Sequence, residues 1–255
     1  YALLALGVTD LTEESLALDK KIIGFLAAIG IPAACVLHGY VGFIFGAIKS
    51  NPWWSTPLMP LIFLLSAIVS GIAILILVYM FVMKIKQKAI NVPCIQALCK
   101  YFWGFLIFAV TLEELQVLTM GYMAEESWGI ISVLLSEKLR FSYNWLQVYI
   151  GACVPLVLLG IVTLRSLKDK TVILFAALSA FLILVQVFAM RWNVVIGGQL
   201  FSKSLRGFSD YDLPFLGKEG MLVALILFSL PFITFYVCSL ILHIFKDDGE
   251  PESGS

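Results

Sequence analysis

Charge is what this chain has least of. Lysine, arginine, aspartate and glutamate make up 13% of its 255 residues, with 17 of each sign, while 61% are hydrophobic. Soluble domains carry about a quarter charged residues and roughly half apolar ones. Zero net charge removes the basic surface that nucleic acid would need. Histidine is nearly missing too. The two present, His38 and His243, fall near opposite ends of the membrane-length runs described below. They cannot clamp a b-type haem between them at one depth. Five cysteines are scattered, and Cys94 and Cys99 are too far apart for a CxxC pair. No iron–sulfur cluster is expected in the chain, and the thiols read as free apolar groups. No GxxxxGK[ST] loop supports nucleotide hydrolysis. The chain opens at Tyr1 without a basic segment and short apolar core, so no signal peptide is expected. The expectation is a piece of a longer protein.

What is present is hydrophobic length. Mean hydropathy is +0.98, and a membrane-crossing helix takes about 20 apolar residues. Six runs meet that length, at about 22–47, 58–83, 96–119, 142–164, 171–196 and 220–245. The fold class expected is all-α, a polytopic transmembrane helix bundle. Residues 1–21 form a cytoplasmic or interfacial lead-in, 22–245 the bundle, and 246–255 a disordered polar tail. The stretch ESWGIISVLLSEKLRFSYN between the third and fourth runs is too short in its apolar part to cross. It is expected to form one interfacial helix or a re-entrant piece. Pro32, Pro155 and Pro231 lie inside runs, where kinks are tolerated.

Six crossings leave both termini on one side. Lysine and arginine are denser there, chiefly in the short loops KIKQK (84–88) and RSLKDK (165–170). The positive-inside rule then puts both termini in the cytoplasm, in the inner (cytoplasmic) membrane of the cell. The opposite face holds KSNPWWSTP and the long connection after Gln199. Trp53 and Trp54 there read as part of an aromatic belt.

The few polar groups inside the runs carry the functional signal, because ionisable residues within a membrane cost several kcal/mol and mark functional sites by default. His38 lies past the middle of the first run, Glu113 and Glu114 near the outer end of the third, and Arg191, Asn193 and Gln199 at the outer end of the fifth. All three runs travel outward, so the groups reach a common level. His38, Gly42 and Gly46 are spaced i, i+4, i+8 on one helix face, where small residues admit a neighbouring helix. Tyr40 sits about 200° round the helix from His38, and Glu113 and Glu114 differ by about 100°; one carboxyl can face the bundle while the other reaches the interface. Plainer readings stand beside these. His38 can be a packing residue bonded to a backbone carbonyl. Glu114 and Arg191 can form a structural pair. Ser66, Ser70, Thr163 and Gln186 are the few polar groups of the inner halves.

A histidine that titrates near neutrality, beside carboxylates and an arginine at the edge of an apolar cavity, suits proton exchange with a quinol. The segment LHGYVGFIFGAIKSNPWWSTPLMPLIFLLSAIVSGIAILIL, followed by LEELQVLTMGY and RWNVVIGGQ, resembles the NrfD/PsrC family of quinone-interacting membrane subunits. In style it is nearest the DsrP and alternative complex III types. The resemblance implies menaquinone or another quinone bound near the outer face. Electrons would pass to an extracytoplasmic, ferredoxin-like iron–sulfur subunit and on to further redox subunits of an anaerobic respiratory oxidoreductase. It places His38 and Tyr40 on the family's HGY motif, Glu113 or Glu114 on its acidic position, and Arg191, Asn193 and Gln199 on its later segment. His38, Glu113 and Glu114 are then the catalytic candidates. His38, Tyr40, Glu114, Arg191, Asn193 and Gln199 are the quinone-binding ones. The resemblance also implies a ten-span parent, with four spans preceding this chain. Two other classes fit an intramembrane acid, arginine and histidine: an ion-coupled secondary transporter, whose sites sit at mid-membrane on broken helices, and a passive anchor for a redox complex.

Overall fold

The computed structural model describes residues 13–123, 127–202, 207–209, 215 and 220–241. His243, the outer-loop cations Lys203, Arg206 and Lys218, most of the lead-in and the polar tail lie outside them. The described helices are α1 (Glu13–Gly46), α2 (Met59–Ile85), α3 (Val92–Met123), α4 (Trp128–Val133), a π-helical turn at Leu134–Lys138, a π-helix at Arg140–Cys153, α5 (Val154–Leu164), α6 (Asp169–Gln199) and α7 (Met221–Ile241). Among the described residues, six segments are long and apolar enough to cross a membrane: Lys20–Gly46, Met59–Ile85, Val92–Met123, Arg140–Leu164, Asp169–Gln199 and Met221–Cys238. These are the six expected runs. Phe201 and Phe208 form one isolated antiparallel bridge after α6.

The chain divides into two compact units. One comprises residues 1–32 and 211–255, the other residues 33–210. The first contributes the part of α1 up to Pro32, together with α7. The second holds every residue discussed below.

Within the second unit, α6 is the central helix. Val172, Ala176, Ala180, Ile183, Val187, Met190 and Val194 are all buried, an i, i+3/i+4 sequence that turns one face toward its neighbours. Phe102 and Leu106 of α3, Ile76 of α2 and Leu159 of α5 fill the same core. The opposite face is no more polar: Leu174, Leu178, Phe181 and Phe188 are exposed. That composition suits lipid on the outside. Helices in lipid are held by close packing and hydrogen bonds, because hydrocarbon chains are as apolar as leucine.

The close packing is visible where α1 meets the start of α2. A Cβ on Gly42 would sit 2.6 Å from the Met59 carbonyl oxygen, and one on Gly46 would sit 2.7 Å from the Thr56 carbonyl oxygen. The small-residue stripe expected to admit a neighbour does so.

The fourth crossing begins as a π-helix, which is rare over this length. Its i→i+5 ladder gives way to α-helix at Val154, and Pro155 occupies the first turn of α5. Proline lacks an N–H and tolerates a first turn, so the ladder changes where it has one fewer donor. Sequence reading placed this proline as a kink inside a uniform run; it marks a junction between two helix types. Ahead of it, Ile131, Leu134 and Leu139 are buried with Trp53 and Tyr143, so the stretch between the third and fourth crossings is helical and packs onto protein.

Candidate functional site

Residues 47–58, between α1 and α2, are fastened to the end of α6. The Asn51 amide donates to the Gly198 carbonyl (2.7 Å), Trp53 Nε1 to the Asn193 carbonyl (3.2 Å) and Trp54 Nε1 to the Val194 carbonyl (2.6 Å). A helix leaves its last carbonyls without intrahelical partners, and Asn51 satisfies one of them. Trp53 is 4% exposed. It is therefore a packing and hydrogen-bonding residue inside the protein, which corrects the aromatic-belt reading: its indole N–H finds a fixed carbonyl on α6.

Beneath this fastening lies a directed chain of buried hydrogen bonds. Ser142 Oγ donates to Asn193 Oδ1 at 2.6 Å, Asn193 Nδ2 donates to Gln147 Oε1 at 2.8 Å, and Gln147 Nε2 donates to Glu113 Oε2 at 3.0 Å. From the other side Gln186 Nε2 donates to the same Glu113 oxygen at 3.0 Å. Glu113, Gln147, Gln186 and Asn193 are all buried. Three elements supply them: α3, the π-helix and α6. Gly151 makes the approach of the last two possible, since a Cβ there would meet Gln186 Cβ at 2.5 Å. A buried carboxyl is tolerated when donors surround it, and here both donors fall on one oxygen.

A cavity of about 20 Å³ borders the network. Trp53, Met59, Gln116, Tyr143 and Gln147 are among its lining residues, with Glu113 and Asn193. It is water-sized. A larger cleft of about 460 Å³ lies on the other side of the same segment, lined by Phe43, Gly46, Ala47, Lys49, Ser55, Thr56, Pro57 and Pro60. Met59 lines the small cavity and Pro60 the cleft.

The sequence candidates fall into different surroundings. Glu113 and Asn193 are joined through Gln147. Glu114, one residue on, is half-buried, as the 100° offset implies. Arg191 does not reach Glu114: its guanidinium donates to Ser66 Oγ at 3.2 Å and lies 5.0 Å over the Phe63 ring. The expected Glu114–Arg191 pair is replaced by a hydroxyl and a cation–π contact, which need no second charge. His38 is half-buried, and its Nδ1 lies 2.9 Å from the Ala34 carbonyl oxygen, one turn back on α1. A carbonyl only accepts, so Nδ1 carries a proton and donates to it, which leaves Nε2 as the nitrogen pointing away from this bond. Tyr40 and Gln199 are exposed. His38, Tyr40, Glu114, Arg191 and Gln199 line neither the small cavity nor the cleft.

Sequence reasoning missed Gln147, Gln116 and Tyr143, and counted Gln186 with the inner half. Two signals were available. Gln116 is three residues from Glu113, and Gln186 is seven from Asn193, each pair on one helix face. Depth misled because α3 runs on to Met123, four residues beyond the apolar run, which sets Glu113 about 6 Å deeper from the helix end. Among the described residues, no group of three or more histidine, cysteine, aspartate or glutamate side chains is placed to hold a metal.

Comparison with known proteins decides the family. Residues 2–203 match the family described as "Polysulphide reductase, NrfD". The chain belongs to this family. Among similar proteins, the NrfD-family chain is 28% identical to a polysulfide reductase chain of Wolinella succinogenes, over 73% of its own length and 56% of the relative. It is 26% identical to a selenate reductase subunit of Mesobacillus selenatarsenatis, over 70% of its own length and 40% of the relative. It is 25% identical to an Hdr-like menaquinol oxidoreductase integral membrane subunit of Archaeoglobus fulgidus, over 80% of its own length and 51% of the relative. The NrfD-family chain thus spans about half the length of the curated relatives it matches. No solved structure matches it significantly.

Proposed function

We propose that this chain is the quinone-reactive part of a membrane subunit in a multi-subunit respiratory oxidoreductase. It would exchange electrons with an extracytoplasmic iron–sulfur subunit and take up or release quinol protons itself. One observation carries the proposal: a carboxyl buried among helices and held by two amides, on a chain that also has a ring-sized cleft lined by Phe43, Pro57 and Pro60. Membership of a family with a relative named as a menaquinol oxidoreductase membrane subunit supports it.

The fit of a quinone is a matter of size. Small-molecule sites measure about 300–1,000 Å³. The 460 Å³ cleft is in that range, and the 20 Å³ cavity is not. In this reading the ring lies against Phe43, Pro57 and Pro60, with Thr56 and Lys49 available to its oxygens. His38, on α1 two turns before Gly46, is outside the cleft lining and would take a quinol proton only by way of water or a ring reaching along α1. Glu113 is the buried acid that takes the other proton. Electrons leave for the partner subunit. Both termini are assigned to the cytoplasm by the loop lysines.

Glu113→Gln tests the proposal. The glutamine keeps the volume and turns one oxygen toward Gln147 and Gln186, so the complex still assembles. Quinol-linked turnover falls by about 10²-fold or more, the scale of a lost general acid–base group. Unchanged turnover in an assembled complex would reject the proposal and favour a passive anchor.

A further inference from the structure

The two amides on Glu113 leave the carboxyl lopsided. Gln147 and Gln186 both donate to Oε2, which uses that oxygen's two lone pairs. Oε1 accepts no hydrogen bond from a described residue. When the acid is protonated, the proton therefore belongs on Oε1. An amide gives nothing onward without changing its own bonding, so the row Ser142–Asn193–Gln147 fixes the carboxyl and does not carry its proton away.

Three residues with unmet hydrogen-bonding capacity line the adjoining cavity. Glu113 has Oε1 left over. Among the described residues, the Gln116 side chain makes a single bond, a 3.5 Å donation to the Trp53 carbonyl. The Tyr143 hydroxyl makes no hydrogen bond to a described residue, and its ring meets Trp53 edge-on at 6.3 Å. All three residues are at least nine-tenths buried, and all three line the 20 Å³ space. A buried water needs about 10–15 Å³ and two to four polar partners.

We infer that this cavity binds one ordered water bridging Glu113, Gln116 and Tyr143, and that this water is the exit for the Glu113 proton. The step is plain proton transfer. The Oε1–H bond breaks, an O–H bond forms on the water, the positive charge moves with the proton, and any proton of that water can return to Oε1. Tyr143 and Gln116 are positioning residues that hold the water against Oε1. The inference rests on the reading of Glu113 as a proton-handling group.

The test uses the full chain in its purified membrane complex. Infrared spectra through an acid titration identify the protonated Glu113 carboxyl band by its loss in Glu113→Gln. Transfer to D₂O then times its exchange. Tyr143→Phe keeps the ring and slows exchange by about three- to tenfold, the worth of one hydrogen bond. Gln116→Leu slows it similarly and stands in should the tyrosine variant not assemble. Gln147→Leu shifts the band frequency and leaves exchange at least as fast, because it frees Oε2. Equal exchange in wild type and Tyr143→Phe, or slowed exchange in Gln147→Leu, overturns the inference. Quinol turnover is read separately: normal turnover in Glu113→Gln would sink the quinone reading while leaving the exchange result to stand or fall alone.

Discussion

Glu113 and Arg191 sit among neighbours whose replacement has distinct consequences. Gln186→Leu removes one of two donors to a buried carboxyl oxygen. It should lower stability by about 0.5–2 kcal/mol: hydrogen bonds to charged groups are worth about 1.5–3 kcal/mol in soluble proteins, and those measured between membrane helices less. Thermal unfolding in detergent checks it, with a fall of about 2–4 °C per kcal/mol for a chain of this size. Arg191→Lys keeps the charge but gives up the planar group that both stacks on Phe63 and reaches Ser66; a similar loss of stability is expected. Glu113 itself was legible from sequence, since a carboxyl inside an apolar run stands out. Its partners were not. Amides carry no charge, so Gln147 and Gln186 attract attention only once α3, the π-helix and α6 are known to touch.

At the scale of the helix, the α1–α2 contact depends on hydrogen atoms where other residues carry a methyl. Gly42→Ala would press a Cβ against the backbone of Met59 and Pro60. Neither can swing aside, so the helices have to part, at a cost of about 1–3 kcal/mol. Gly104→Ala meets nothing within 4 Å and should be neutral or slightly stabilising, since alanine is the better helix former. Unfolding midpoints of the two variants compare them directly. This contact was readable beforehand from the i, i+4, i+8 spacing. The π-helix at Arg140–Cys153 was not readable, because its apolar pattern is compatible with an α-helix and only the hydrogen-bond ladder distinguishes the two.

At the scale of the molecule, hydropathy alone located all six crossings, because each must supply about 20 apolar residues whatever its neighbours do. The site was only partly legible, because the shared depth of His38, Glu113 and Arg191 says nothing about which way each side chain turns. His38 bonds its own helix, Arg191 turns to α2, and Glu113 faces the π-helix and α6. The proposed orientation rests on the lysines and arginine of the loops at 84–88 and 165–170. Single cysteines placed there should react with a membrane-impermeant maleimide only after the cytoplasmic side is exposed; labelling from the outside would invert the assigned topology.

The central claim is that a quinone ring occupies the cleft lined by Phe43, Pro57 and Pro60. Photolabelling of the purified complex with an azidoquinone, followed by peptide mapping, tests it most directly. The account predicts adducts on Phe43–Lys49 and Ser55–Pro60 that excess menaquinol displaces; displaceable adducts confined to other segments, with none on these, would contradict it.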